Sequence, residues 1–123
     1  MKVVINACYG GFSLSLLGQR EYAKRKGFEL FFYKQTKYQF SDRKKEYTRI
    51  DDVKEKNLFH FSLKKDLGKI VDKLLDEHDI WFSDRDIPRD DEDLIAVIEK
   101  LGSKLVSGSC AELKIVEIPD WLR

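Results

Sequence analysis

A chain of 123 residues has the length of one domain and enough apolar residues for a modest core. Its 23 Lys and Arg residues nearly balance 22 Asp and Glu residues, for a formal charge of +1, which argues against a dedicated binder of duplex DNA or RNA, because such a protein carries a basic excess or stripe. No apolar run approaches the length of a membrane span, the N-terminus opens on a strand pattern and not a signal peptide, and the two thiols, Cys8 and Cys110, read as reduced, which points to the cytoplasm.

The β-branched run Val3-Val4-Ile5 predicts a central strand, apolar on both faces. Gly10 and Gly11 follow as a turn, and Ser13 and Ser15 stand where a helix needs a side-chain oxygen for its first N–H groups. Such a glycine turn running into a helix N-terminus offers N–H donors and a positive dipole end to a phosphate. The same residues also fit a plain turn and cap, since neither a dinucleotide fingerprint nor a P-loop lysine is present.

The first helix is expected over residues 13–26, with Arg20, Lys24, Arg25 and Lys26 suiting its C-terminal dipole end and Gly27 as its stop. Phe28 to Tyr33 predicts a strand, giving a βαβ-like opening if the two strands are parallel. Residues 34–57 turn polar without a sustained period, a loop or protruding arm with a short strand at Tyr47 to Ile50. Arg43-Lys44-Lys45, Tyr38 and Phe40 in that segment are a solvated face or a contact to a partner.

Leu58 to Leu63 alternates as a half-buried strand, with Phe59, Phe61 and Leu63 on one face and His60 and Ser62 on the other. Leu67, Ile70, Val71, Leu74 and Leu75 recur at helical spacing and predict an amphipathic helix. A third helix carries Leu94, Ile95, Ile98 and Leu101, with acidic residues in its first turn and Gly102 at its end. A last strand runs from Ala111 to Ile118 and stops at Pro119. The order of elements predicts one α/β domain over residues 1–123, a mixed β-sheet packed with about three helices.

Little in the sequence calls for catalysis. His60 and His78 have no partner at metal-ligand spacing, and Asp84, Asp86, Asp90 and Asp91 do not match a calcium loop, so neither a metal nor a cofactor is expected. Cys8, Ser13 and a histidine carry no signature of a nucleophile and base. Binding has more to draw on. Trp81 and Phe82 present flat rings on which a base can stack for about 1–3 kcal/mol, and Arg85 and Arg89 lie close in sequence as phosphate ligands. Against this, both rings serve equally well as core and Arg85 as a surface partner of Asp84 or Asp86.

Asn6-Ala7-Cys8-Tyr9-Gly10-Gly11-Phe12-Ser13-Leu14-Ser15 resembles the opening of a family of small phage and prophage proteins, whose usual run is I-N-x-C-Y-G-G-F-G-L-S. Two further blocks match in order: Arg89 to Ile95 with Glu99, Leu101 and Gly102, and Gly108, Ala111 and Leu113 to Asp120. The family is identified as the first-described phage anti-Thoeris proteins. These bind a cyclic ADP-ribose isomer made by bacterial TIR-domain proteins, in some cases also cyclic oligonucleotides, and hold it without degrading it. They assemble from dimers, with ligand sites near the subunit boundary.

The resemblance implies that Phe82 stacks a base, and that Arg89 to Glu92, including Asp91, and the Gly108-Ser109 turn lie beside the ligand. With Trp81, Arg85 and the opening Tyr9-Gly10-Gly11 and Ser13, these form the expected binding set. The chain departs from the pattern where Ser13 replaces a glycine and where Glu92 and Ser109 replace an amide or a cation, leaving a phosphate to Arg85, Arg89 or Arg123. The expected function is therefore sequestration of a cyclic ADP-ribose-type nucleotide in an infected host's cytoplasm. The alternatives are a phosphodiesterase-like enzyme acting on the same signal and a protein-binding inhibitor of a host defence factor.

Overall fold

The computed structural model describes residues 1–8, 11–38, 45–54, 60–74, 78–108 and 111–119. Tyr9, Gly10, Phe40, Arg43, Lys44, Leu58, Phe59, Leu75, Ser109, Cys110 and Arg123 lie outside them, as do the side chains of Tyr38, Lys45 and His78.

Val3-Val4-Ile5 lies in strand β1 (Lys2–Asn6), which among the described residues pairs only with β6 (Leu113–Glu117) in an antiparallel two-stranded ladder, with Val4 opposite Ile115. The strand is not central: Val4 is buried, but Ile5 is 42% exposed, because helices cover one face alone. The β-branched side chains are satisfied by one buried face, which a two-stranded ladder supplies as well as a larger sheet does.

Helix α1 (Leu16–Lys26) begins later than the sequence predicts. Ser15, not Ser13, is its N-cap, with its Oγ accepting the Gly18 N–H at 3.0 Å. Gly27 closes it at φ 91°, a left-handed conformation that residues with a Cβ resist. Strands β2 (Phe31–Tyr38), β3 (Lys45–Ile50), β4 (Phe61–Leu63) and β5 (Ile70–Val71) form a second, four-stranded sheet in the order β4-β2-β3-β5. Every ladder is antiparallel, with Phe32 opposite both Ile50 and Ser62 and a register shift between Gln35 and Lys37. The fold is thus a single α/β domain whose strands form two antiparallel sheets and not one mixed sheet. β1 and β2 belong to different sheets, so the opening is not a βαβ unit.

Over the described residues 67–74 the expected amphipathic helix does not form. Gly68 takes φ 107°, and the Tyr33 hydroxyl reaches in between, accepting the Leu67 N–H at 2.9 Å and donating to Gly68 O at 2.8 Å. The β-branched pair Ile70-Val71 then joins the sheet edge beside β3. Leu67, Val71 and Leu74 still share one apolar cluster, while Ile70, which a helix would bury with them, is 60% exposed.

At β4 both Ser62 and Leu63 are buried, because α1 covers the face that alternation assigns to solvent. Residues 80–82 run along the β4 edge, with Lys64 N–H donating to Ile80 O at 2.6 Å and Phe82 N–H to Ser62 O at 3.0 Å. Helix α2 (Glu92–Leu101) follows the predicted stripe, burying Leu94, Val97 and Ile98, and a short α3 (Ser103–Val106), which the sequence does not announce, follows Gly102. Three helices are present among the described residues, but α3 takes the place of the one expected at residues 67–75.

The core has three apolar clusters. The first joins Val4, Leu14, Tyr22, Ile87, Leu94, Val97, Ile98, Val106 and Leu113. The second joins Leu16, Ala23, Leu30, Phe32 and Ile50, and the third Tyr33, Leu63 and Ile80.

Candidate functional site

The loop of residues 11–15 is held on three sides. Leu14 N–H donates to the Asp84 carboxylate at 2.8 Å, Ser15 N–H to Val106 O at 2.7 Å, and Ser13 O accepts the Gly108 N–H at 2.9 Å. The Ser15 hydroxyl donates to Leu105 O at 2.6 Å. Leu14, almost wholly buried, pins the loop to the first cluster. These contacts bring two distant blocks of sequence to one place: the glycine-serine opening and the segment around Asp84 to Arg89.

Part of the expected phosphate cradle is already in use. The N–H groups of Leu14, Ser15 and Gly18 all have partners within the chain, and the partner of Leu14 is a carboxylate. An anion placed there would displace Asp84 or meet its charge. Ser13 and Gly108 are packed on each other, so their pairing has a structural explanation. Cation chemistry lies one step outward. Arg85 is exposed at the 3-10 turn Asp84–Asp86, and a Cβ added at Gly11 would sit 3.6 Å from its Nη2. The Arg89 guanidinium carbon stands 3.4 Å from the Phe12 ring centroid. Gly11 with Arg85, Phe12 with Arg89 and Ser13 with Gly108 are thus three successive contacts along one loop.

Trp81 and Phe82 are adjacent in sequence but turn apart. Trp81 packs edge-on against Phe61, centroids 5.9 Å apart, within the cluster of the four-stranded sheet. Phe82 packs against both other clusters, with Tyr22 and Phe28 at centroid distances of 6.2 Å and 6.0 Å. The structure therefore does not bring the two rings into one stacking site. Each is half-buried and contributes to the core.

Asp91 is the N-cap of α2, accepting from the N–H groups of Asp93 and Leu94 at 2.8 Å and 3.1 Å. It also accepts from the Tyr22 hydroxyl at 3.2 Å and from Lys26 at 3.0 Å. Asp93 is bridged by Lys26 at 2.9 Å and Arg25 at 3.1 Å. This network ties the end of α1 to the start of α2, which accounts for Asp91 without a ligand. Glu92, beside it in the first turn, is exposed.

Burial pushes the Asp91 carboxyl up, but hydrogen bonds from Lys26 and from the Leu94 and Asp93 amides outweigh it and hold the group below its ordinary value. Asp93 is lowered first by its hydrogen bond from Lys26 and then, against some desolvation, by Arg25. Both folded values lie below the unfolded one of about 3.9. The stability they supply is present above that pH and is lost as pH falls through the lowered folded values. Chemical denaturation across pH 2–6 is expected to show this acid loss, and Asp93→Asn is expected to flatten it; an unchanged profile would show that the bridge contributes nothing.

Gln19 is nearly fully buried, and no sequence signal singled it out. Its amide nitrogen lies 3.1 Å from both Leu14 O and His60 Nε2, and its oxygen accepts from the Ser62 hydroxyl at 2.6 Å. His60 is thus engaged in holding α1 to β4, and Cys8 is exposed at the end of β1. Among the described residues no three His, Cys, Asp or Glu side chains converge on a metal-sized site, and no helix is long and apolar enough to cross a membrane.

Comparison with protein-family models, with curated proteins and with solved structures finds no match to this chain.

Proposed function

We propose that this protein binds and sequesters a small anionic signalling nucleotide of the cyclic ADP-ribose type without turning it over, as the anti-Thoeris family that its opening resembles does. One observation carries the reading: the Gly11-Phe12 edge is flanked by the guanidinium groups of Arg85 and Arg89, set there by a loop held through two backbone bonds and one to the Asp84 carboxylate. Guanidinium groups bind phosphate oxygens strongly and with fixed geometry. Sequestration needs that affinity and no acid, base or activated water. Ligand capture at a boundary between paired subunits, in the cytoplasm of an infected cell, belongs to the same proposal.

A thermal-shift panel of cyclic nucleotides tests it. A ligand present at a hundred times its Kd stabilises the folded state by about 2.7 kcal/mol, so a clear rise in Tm is expected for cyclic ADP-ribose isomers. Arg85→Ala is expected to abolish most of that rise. Ligand released by heat should be chemically intact. Recovery of a cleaved product would favour a phosphodiesterase. Stable capture of a host protein, with no shift from any nucleotide, would favour the protein-binding inhibitor.

A further inference from the structure

We infer that His60 works as a proton-operated latch on the loop of residues 11–15, holding it when neutral and releasing it when charged. The inference goes beyond the nucleotide-binding reading and does not rest on it. Its basis is the junction at Gln19, where three groups meet one buried amide. Leu14 O only accepts, so the amide nitrogen faces it, and the second amide hydrogen is directed at His60 Nε2, 3.1 Å away. The Ser62 hydroxyl donates to the amide oxygen at 2.6 Å. All three contacts are satisfied together only while Nε2 carries a lone pair.

A proton on Nε2 breaks that agreement. Both ring nitrogens then donate, and an imidazolium N–H would point at an amide N–H. Turning the amide over restores two of the three contacts. Its oxygen then accepts from His60, in a charge-assisted bond stronger than the neutral one it replaces. Its nitrogen donates to the Ser62 hydroxyl, which accepts as readily as it donates. The third contact is lost, because the amide oxygen now meets Leu14 O, an acceptor facing an acceptor. A proton taken up beside β4 is therefore felt in the loop, at the residue whose N–H holds Asp84 and whose neighbours Ser13 and Ser15 bond to Gly108 and Val106.

His60 is half-buried, so protons from solvent reach it, whereas Gln19 is nearly fully buried, which leaves little room for water to take the lost partner's place. The charged groups bordering this junction, among the described residues, are Arg20 and Glu21, 3.5 Å apart on α1, Lys34 of β2, one step past Tyr33–Phe61 in the β2–β4 register, and Asp84 beyond Leu14. On the same side β3 presents Thr48 and Ile50, and Phe32 and the imidazole pack edge to face with centroids 6.0 Å apart. Of all these groups only a histidine ordinarily changes charge between pH 5 and 8.

The test is NMR of the full chain between pH 5 and 8, without ligand. The chain has two histidines, so His78→Gln leaves His60 as the one imidazole signal. The amides of Leu14, Ser15 and Gly108 are expected to shift with the midpoint of the His60 ring. On the acid side of that midpoint Leu14 N–H is expected to exchange at least about fivefold faster relative to its intrinsic rate, in line with the loss of one buried hydrogen bond. His60→Gln keeps an acceptor near the place of Nε2 and takes up no proton; in protein confirmed as folded by its Tm, these changes are expected to vanish. A His60 ring that stays neutral throughout the range, or loop amides that ignore its titration, would overturn the latch. So would loop changes that persist in His60→Gln, which would assign them to Asp84.

Discussion

Gly108→Ala is expected to lower the stability of the protein by about 2–4 kcal/mol, measured by urea denaturation. The new Cβ would overlap the Ser13 hydroxyl and lie 2.9 Å from Ser13 Cβ and 3.3 Å from the Ser13 carbonyl carbon. The hydroxyl can rotate away, but the other two atoms belong to a loop that Gly108 N–H itself holds at 2.9 Å through Ser13 O. Relief therefore requires the two segments to part. That would break both bonds of the Leu14–Ser107 bridge, the one from Gly108 N–H and the 2.7 Å one from Ser15 N–H to Val106 O. Loss of these two backbone bonds, each leaving a donor and an acceptor unpaired, has the stated size. Ser13→Gly removes the atoms met first, and the double variant is expected to recover more than half of the loss. Stability within about 0.5 kcal/mol of the parent for Gly108→Ala would mean that the loop yields freely, and the fixed placement of Phe12 and Gly11 would fail with it.

Gln19→Leu is expected to cost about 2–4 kcal/mol although the site is buried and the two side chains are similar in size. Leu14 O can only accept, so the amide nitrogen must face it. The second amide hydrogen then points to His60 Nε2, 3.1 Å away, which accepts and so carries its ring proton on Nδ1. The amide oxygen faces the Ser62 hydroxyl. A leucine would strip a partner from three groups at once, in a place that is 2% exposed at Gln19 and 6% at Ser62. Adding Ser62→Ala is expected to restore part of the loss, since removing both members of a buried polar pair costs less than removing one. Equal stability of Gln19→Leu and the parent would show that water replaces the amide.

These two side chains also mark the limits of what is legible in a sequence. Local signals were read well where one residue decides a local outcome. Gly27 ends α1 with a positive φ, Asp91 caps α2, and Leu94 and Ile98 face inward as their spacing predicts. The failure at residues 67–75 has a physical source. Positions i, i+4 and i+7 share a face in a helix, but a turn around Gly68 followed by a two-residue strand also delivers Leu67, Val71 and Leu74 to one cluster. The pattern reports common burial, not the backbone that achieves it. What tips the balance is the Tyr33 hydroxyl, which comes from more than thirty positions earlier in the chain.

The candidate site divides in the same way. Arg85, Arg89 and Gly11 could be named one by one, but their meeting depends on Asp84 accepting the Leu14 N–H, a contact across seventy positions. That same bond occupies one amide of the loop before the helix, where a phosphate is otherwise expected. Trp81 and Phe82 read as a pair because they are consecutive. In an extended segment consecutive side chains leave on opposite sides, and the backbone bonds from residues 80–82 to β4 make this segment extended.

The opposed rings of that dipeptide have a mechanical consequence. The two ladders share no strand, yet this short rail, bonded along β4, sends one ring to each side of the four-stranded sheet, and the Phe82 ring also reaches the cluster that holds Val4 and Leu113. The arginine-bearing rim that follows it in the chain is therefore moored to both ladders.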